Sequence, residues 1–150
     1  MQITHVEIWP VEMKLAESYT IAYETVASVT NIIIRIETNT GIEGYGCAAP
    51  DKPVTGETPE GALQALRDVA MPLLKGADPL RRIQFQEQLK KTIPDQPSVR
   101  AAVDMALHDL LGRVAGVPLW KLLGGYRTRM RTSVTIGIMS VADTVSQAEE

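Results

Sequence analysis

Hydrophobic and polar residues alternate along the first part of the chain in three runs. The first run covers residues 5–15 and changes phase at Trp9-Pro10. Since proline cannot donate to a strand ladder and a one-residue slip exchanges the two faces, this run predicts a strand with a bulge or bend. Ile32, Ile34 and Ile36 form the second run, and a turn-forming segment leads into the third, Ile42 to Cys47. The pattern predicts a three-stranded antiparallel meander.

Three helical patterns follow the strands. Each begins with a capping residue beside a proline: Thr58-Pro59, Asp78-Pro79 and Pro97-Ser98, with Ser98 predicted as the cap of the third helix. Gly76, Thr92 and Gly116 mark the predicted ends, and Pro72 predicts a kink in the first helix. The predicted inward positions are Ala62, Leu66, Val69 and Leu73 in the first helix, Leu80, Ile83 and Leu89 in the second, and Val99, Val103, Ala106, Leu110 and Val114 in the third.

Strands followed by helices predict an α+β domain over residues 1–125. From residue 126 onward the pattern changes to a short β-branched strand, Ser133 to Ile138, and a helix, Val141 to Glu150. We interpret residues 126–150 as the first βα unit of a (β/α) barrel. A complete barrel typically needs about 250 residues, so 150 residues cannot form one.

Two segments between these elements are predicted to be loops. Ala16 to Val29 lacks clear periodicity and is long for a hairpin connection, and Ala48 to Glu57 carries two prolines and a glycine. Long loops in compact domains are commonly functional, but length alone leaves a purely structural connection equally open. We call residues 16–29 the flap and residues 48–57 the second loop.

Composition excludes several classes of partner. Charged residues make up 22% of the chain and its net charge is -3, which gives no basis for binding nucleic acid. Arg127, Arg129 and Arg131 are interpreted as a solvated connection. No apolar run approaches the roughly 20 residues that span a bilayer. The single Cys47 and the absence of a signal-peptide pattern predict a cytoplasmic protein.

A few residues could carry chemistry on their own. Asp104, His108 and Asp109 share one helix, but a hydrogen bond between positions four apart explains them as well as a metal site does. Cys47 has no cationic neighbours in sequence and is predicted to be a structural thiol. Gly44-x-Gly46 lacks the third glycine of a dinucleotide fingerprint and predicts a close backbone approach within a strand.

The segment from Ser98 to Met139 resembles a known family. Its helix, the turn Pro118-Leu119-x-x-Leu122-Leu123-Gly124-Gly125 and the run Thr132-Ser-Val-Thr-Ile-Gly-Ile resemble the junction between capping domain and barrel in the enolase superfamily, in the mandelate racemase and muconate lactonising branch. Within that branch, this run and Val54-Thr-Gly-Glu-Thr are most similar to dipeptide epimerases. The resemblance implies an enolase-type N-terminal capping domain.

The resemblance also implies the chemistry and its location. In this family one Lys removes the proton α to a carboxylate, Mg²⁺ holds the enediolate and a second Lys reprotonates it. Those bases and the metal ligands lie on later barrel strands, so no catalytic or metal residue is expected within this chain, and the Mg²⁺ ligands are expected beyond Glu150. The 150 residues alone are therefore predicted to be inactive. A homo-oligomer is expected of the full-length enzyme.

Five residues are expected to contact a dipeptide substrate. By resemblance, the flap and the second loop close over the barrel mouth, which nominates Ile21 and Glu24 in the flap and Asp51 and Val54 in the second loop. Glu24 aligns with an arginine that meets the substrate carboxylate in several epimerases acting on Ala-Glu, so the charge is reversed here. Thr135 by itself is an ordinary strand threonine, but the resemblance places it against the substrate.

These residues predict an epimerase that favours cationic, or at least neutral, dipeptides over acidic ones. The alternative for the same residues is that Glu24 and Asp51 both point to solvent and that Ile21 and Val54 make an apolar pocket. Two alternatives stay open. The same fold serves muconate-type cycloisomerases, sugar-acid dehydratases and o-succinylbenzoate synthases. A catalytically silent α+β interaction module is the other, although an unpaired Ser133 to Ile138 strand would expose an apolar edge.

Overall fold

The computed structural model describes residues 1–149 and begins with the predicted meander. Strand β1 runs from Ile3 to Thr20, β2 from Thr25 to Thr38 and β3 from Glu43 to Ala48, in the order β1-β2-β3. Strands β2 and β3 pair antiparallel, with Ile34 opposite Gly46 and Ile36 opposite Gly44. The predicted α+β class and the three-stranded antiparallel sheet are confirmed.

The flap is not a loop, because the two strands extend into it on both sides. β1 continues to Thr20 and β2 already begins at Thr25, so only residues 21–24 form the turn. The prediction of a long irregular connection was wrong. Alternation was hidden because both faces of these strand ends carry polar or small residues, while Thr and Val retain a preference for extended backbone.

Seven α-helices and one π-helical turn follow within the part of the chain that the structure describes. The second loop contains α1 and is otherwise irregular, in keeping with its two prolines. The helices are α1 Lys52–Thr55, α2 Pro59–Ala65, α3 Met71–Leu74, α4 Arg82–Thr92, α5 Pro97–Ala115, α6 Leu119–Leu122 and α7 Val141–Glu149, with the π-helical turn at Leu66–Ala70. The predicted helix from Val141 is confirmed to Glu149, and its last position, Glu150, lies outside the described residues.

The chain divides into two units. The first comprises Met1–Val11 and Thr30–Gly125, and the second comprises Glu12–Val29 together with the residues from Tyr126 onward. The ends of β1 and β2 that form the flap therefore belong to the same unit as the segment that carries Thr135.

The core of the first unit lies between one face of the sheet and α5. Alternate residues of β2 are fully buried, and the small residues Gly44, Gly46 and Ala48 line the same face of β3. A Cβ on Gly46 would overlap the carbonyl oxygen of Ala102 and lie 2.8 Å from its carbonyl carbon. The predicted close backbone approach is confirmed, since α5 packs directly on the backbone of β3.

Four of the five predicted inward positions of α5 are fully buried, namely Val99, Val103, Ala106 and Leu110. Val114 is 40% exposed, so its predicted burial was wrong. The helix ends one turn beyond the sheet contact, at Gly116, whose φ of 67° gives the left-handed cap that the sequence predicts. The apolar positions of α5 therefore continue beyond the part of the helix that packs against the sheet.

Helix α2 begins as predicted and then widens. The Thr58 hydroxyl accepts a hydrogen bond from the Gly61 N–H, with Pro59 at the first helical position. After Ala65 the helix passes into the π-helical turn, where the Met71 N–H donates to the Leu66 carbonyl five residues back. Pro72 follows at once and has no N–H to donate. The irregularity predicted from Pro72 is present as this π turn.

Helix α4 differs from its prediction in start and register. The Asp78 carboxylate accepts from the Leu80 N–H and closes a turn, and the helix starts only at Arg82. Leu80 and Ile83 are exposed, whereas Phe85 and Leu89 are buried. Asp78-Pro79 therefore begins a turn and not the helix. The buried face of the helix consists of Phe85 and Leu89, which lie four residues apart.

The predicted strand from Ser133 to Ile138 is absent from residues 1–149. No strand pairs along it in this range, and Val134 and Ile138 are both exposed. A strand forms by hydrogen bonding to neighbouring strands, and the hydrogen bond from the Ile138 N–H to the Thr20 carbonyl joins this segment to the end of β1.

Candidate functional site

The turn of the flap is closed by two hydrogen bonds. The Ile21 N–H donates to the Glu24 carbonyl over 2.9 Å, and the Thr20 and Thr25 hydroxyl oxygens lie 2.9 Å apart. Ile21 is half-buried, while Glu24 is exposed. The turn therefore holds the predicted residues Ile21 and Glu24 together and leaves the Glu24 side chain accessible.

The flap contacts residues 133–138, which include Thr135 and are called the Thr135 segment below. The Ile138 N–H donates to the Thr20 carbonyl over 2.7 Å, and Gly137 is buried against the backbone of Thr20. Thr135 itself is exposed and lines a shallow groove together with residues of α7. Three of the five predicted substrate contacts, Ile21, Glu24 and Thr135, thus belong to one structural unit.

The other two predicted contacts lie in the second loop, which belongs to the first unit. The Asp51 carbonyl accepts from the Val54 N–H over 3.1 Å and from the Thr55 hydroxyl over 2.9 Å, forming the turn of α1. The Asp51 carboxylate does not cap this helix. Val54 is 69% exposed. Both side chains are available to a ligand rather than committed to the fold.

A buried carboxylate fixes the C-terminal end of the second loop, and no local sequence pattern indicates it. Glu57 is 1% exposed and accepts from the Ser98 N–H at 3.0 and 3.1 Å and from the Ser98 hydroxyl at 2.7 Å. Ser98 is consequently not the cap of α5. That position belongs to Gln96, and the predicted capping role is performed by Glu57 from 41 residues away.

The acidic residues of α5 are explained by hydrogen bonds within the first unit. Arg82 approaches His108 Nε2 at 2.9 Å, and His108 Nδ1 lies 2.9 Å from the Asp104 carbonyl oxygen. Because arginine only donates, His108 accepts at Nε2 and donates from Nδ1. Asp109 accepts from the Tyr45 N–H and from Arg113 Nε, both over 3.0 Å. The arrangement fits the hydrogen-bonding alternative proposed for these residues.

Magnesium does not fit any set of side chains within residues 1–149. Nowhere in that range do three His, Cys, Asp or Glu side chains converge as metal ligands would. Carboxylates are among the ligands that Mg²⁺ uses in proteins, and Glu57 and Asp109 already accept hydrogen bonds from protein donors. No catalytic step can therefore be assigned to a metal on these residues.

Cys47 sits half-buried on the outer side of β3. Burial raises the pKa of its thiol, which keeps it protonated and unreactive at neutral pH. Of the helices described, none has the length and apolarity needed to cross a membrane.

Comparison with known proteins agrees with this architecture. Residues 3–124 match the family model of the mandelate racemase / muconate lactonizing enzyme N-terminal domain. An L-Lys-D/L-Arg epimerase of Desulforapulum autotrophicum is 41% identical over the whole chain, and a hydrophobic dipeptide epimerase of Enterococcus faecalis is 36% identical over 92% of it. The chain spans 42% and 39% of the lengths of these two relatives.

A solved structure extends the likeness to the backbone. The dipeptide epimerase of Methylococcus capsulatus, complexed with Mg and the dipeptide L-Arg-D-Lys, superposes with a TM-score of 0.91 at 36% identity, over 99% of this chain and 42% of that one. The matched fold includes the three-stranded meander and the helix that packs on its glycines, which together form one domain. The chain belongs to the mandelate racemase and muconate lactonizing enzyme branch of the enolase superfamily, and its residues 3–124 correspond to the N-terminal domain of that family.

Proposed function

We propose that this chain is the N-terminal part of a magnesium-dependent dipeptide epimerase. The observation that carries the proposal is the contact of the flap with the Thr135 segment, which places three predicted substrate contacts in one unit. The relatives named above are epimerases that act on dipeptides, and the family fold alone would not select that reaction.

The proposed reaction inverts an α-carbon by moving one proton off one face and another onto the opposite face. Magnesium, held by residues outside this chain, would supply the positive charge that an enediolate requires. The residues of this chain bind and orient the dipeptide, with Thr135 offering a hydroxyl group as a hydrogen-bond partner.

We further propose a preference for dipeptides with cationic side chains, on the basis of Glu24 and Asp51. Neither carboxylate has an ion-pair partner within residues 1–149, so both charges are free to meet a ligand. A unit charge 4 Å from a carboxylate gains about 1 kcal/mol in water and about 4 kcal/mol at an effective dielectric constant of 20. An acidic side chain would be repelled to a similar extent.

A neutral preference is the second candidate, and a specific observation favours it. Val54 is exposed and Ile21 half-buried, so each side chain can offer apolar surface to a neutral substrate side chain. The Enterococcus faecalis relative is named for hydrophobic dipeptides. The two candidates differ in what removal of charge does, since only the first predicts that Glu24→Gln or Asp51→Asn narrows the gap between cationic and anionic substrates.

The reaction itself is tested by proton exchange in the full-length enzyme. Incubation with Mg²⁺ and L,L-dipeptides in heavy water should incorporate deuterium at one α-carbon and produce the epimer. Deuterium uptake without any dipeptide preference, or conversion only of muconate-type or sugar-acid substrates, would replace the epimerase by another activity of the superfamily. We also propose that the full-length enzyme is a cytoplasmic homo-oligomer. Sedimentation of the purified full-length enzyme tests its oligomeric state.

A further inference from the structure

Gly137 lies where the flap and the Thr135 segment come closest. A Cβ added to Gly137 would lie 3.0 Å from Tyr19 Cβ, 3.2 Å from Thr20 N and 3.4 Å from Thr20 O. Two of these three atoms are backbone, so they cannot move aside as the end of a flexible side chain would. Gly137 is buried although Val134 and Ile138 near it are exposed. The absence of a side chain at position 137 is what permits this contact.

The backbone on both sides of the contact is fixed. The Ile138 N–H donates to the Thr20 carbonyl over 2.7 Å, directly after Gly137. Thr20 in turn is the last residue of β1, and its hydroxyl lies 2.9 Å from that of Thr25, the first residue of β2. The contact therefore holds both strand ends from which the turn of residues 21–24 is built.

The position of the Glu24 turn depends on this contact. Ile21 follows Thr20 directly, and its N–H donates to the Glu24 carbonyl over 2.9 Å. A shift of Thr20 by a few tenths of an ångström would be passed through these hydrogen bonds to Glu24. Thr135 is two residues from Gly137, so the same segment carries both the flap contact and a proposed substrate contact.

We propose that Gly137 is a positioning residue for substrate specificity, acting through Thr20 to hold the Glu24 turn of the flap beside Thr135. This inference rests on the proposed function, because the turn matters only if Glu24 faces a substrate. Its chemical consequence is selectivity, since Glu24 discriminates a cationic from an anionic side chain only if its distance from that side chain is fixed.

The test compares Gly137→Ala with the wild-type full-length enzyme and with Gly61→Ala as control. Like Gly137, Gly61 has no positive φ, and a Cβ there would meet only side-chain atoms, the Thr58 hydroxyl at 3.3 Å and Gln96 Nε2 at 3.9 Å. Gly137→Ala should raise KM for a Lys- or Arg-containing dipeptide about tenfold, which corresponds to about 1.4 kcal/mol, with kcat within about twofold of wild type. Its preference for cationic over acidic dipeptides should fall, and Gly61→Ala should change neither quantity.

Hydrogen exchange separates this inference from the proposed function. In the wild type the Ile138 amide should be protected, and in Gly137→Ala both it and the Ile21 amide should exchange faster, whatever substrate the enzyme accepts. Unprotected Ile138 in the wild type overturns the inference even if Gly137→Ala fails to fold. Faster exchange with unchanged selectivity also overturns it. A wild type that is inactive on every dipeptide but has a protected Ile138 amide refutes the proposed function, and with it the role in selectivity, while the contact between Gly137 and Thr20 stands.

Discussion

The carboxylate of Glu57 accepts hydrogen bonds from both the backbone N–H and the hydroxyl of Ser98, at distances of 2.7 to 3.1 Å. The two residues are 41 positions apart and both are buried. This pair joins the end of the second loop to the first turn of the longest helix, where the free N–H groups favour a negative charge. The second loop therefore leaves the core from a fixed point and carries the half-buried Asp51 and the exposed Val54.

Loss of this pair should destabilise the domain. Glu57→Ala leaves two buried donors of Ser98 unpaired, and we expect the free energy of unfolding to fall by about 2 to 3 kcal/mol. Urea denaturation monitored by circular dichroism measures it. The matched control is Glu60→Ala, an exposed acid in the first turn of α2, which should cost within about 0.5 kcal/mol of wild type. Equal losses for the two variants would contradict the capping role of Glu57.

Gly46 should not tolerate a side chain. In Gly46→Ala the new Cβ would overlap the Ala102 carbonyl group, which cannot move without shifting α5 away from β3. We expect a loss of about 3 kcal/mol or more in the free energy of unfolding, measured by thermal and urea denaturation. Gly61→Ala is the control, because its Cβ would meet only side-chain atoms, the nearest being a hydroxyl oxygen at 3.3 Å. If Gly46→Ala were as stable as the wild type, α5 and β3 would have to lie farther apart than in this structure.

Cys47 should react slowly with alkylating reagents. The thiolate is the reactive form, and burial raises the pKa of this thiol. At pH 7 the folded protein should therefore react with iodoacetamide more slowly than the protein unfolded in urea, and its rate should rise only as the pH exceeds the ordinary cysteine range. Mass spectrometry of a time course follows the modification. A folded protein that reacts at least as fast as the unfolded one would exclude burial as the controlling factor.

Thr135 should affect binding rather than stability. Thr135→Val retains the shape and β-branching of the side chain but removes the hydroxyl group. In the full-length enzyme we expect KM for the dipeptide to rise about tenfold, as for one lost hydrogen bond of about 1.4 kcal/mol. Because Thr135 is exposed in the described residues, the melting temperature should stay near that of the wild type. Unchanged kinetics would assign Thr135 a structural role only.

Sequence patterns predicted those elements whose stabilising interactions lie close together along the chain. The isoleucines of β2 have one face buried, so period-two alternation identified the strand, and Thr58-Pro59 and Gly116 marked helix ends whose hydrogen bonds are made within a few residues. The flap strands failed this test, because neither face of the hairpin end is apolar enough to produce alternation.

The remaining misses depended on distant partners. Ser98 has the residue type of a helix cap, and only the fold brings Glu57 to it. Asp78-Pro79 begins a turn in place of a helix because the Asp78 side chain binds the Leu80 N–H. The nominated substrate contacts came from family resemblance, while the structure adds the contact between Gly137 and Thr20, for which a glycine in a β-branched run was the only available signal.

The most direct test of the proposed specificity is kcat/KM of the full-length enzyme across a dipeptide library, for wild type, Glu24→Gln and Asp51→Asn. We expect dipeptides containing Lys or Arg to be preferred over Ala-Glu. Each substitution should reduce this difference in kcat/KM, because it lowers kcat/KM for cationic substrates and raises it for anionic ones. Ala-Glu as the best substrate, or an unchanged difference in both variants, would contradict the proposed specificity.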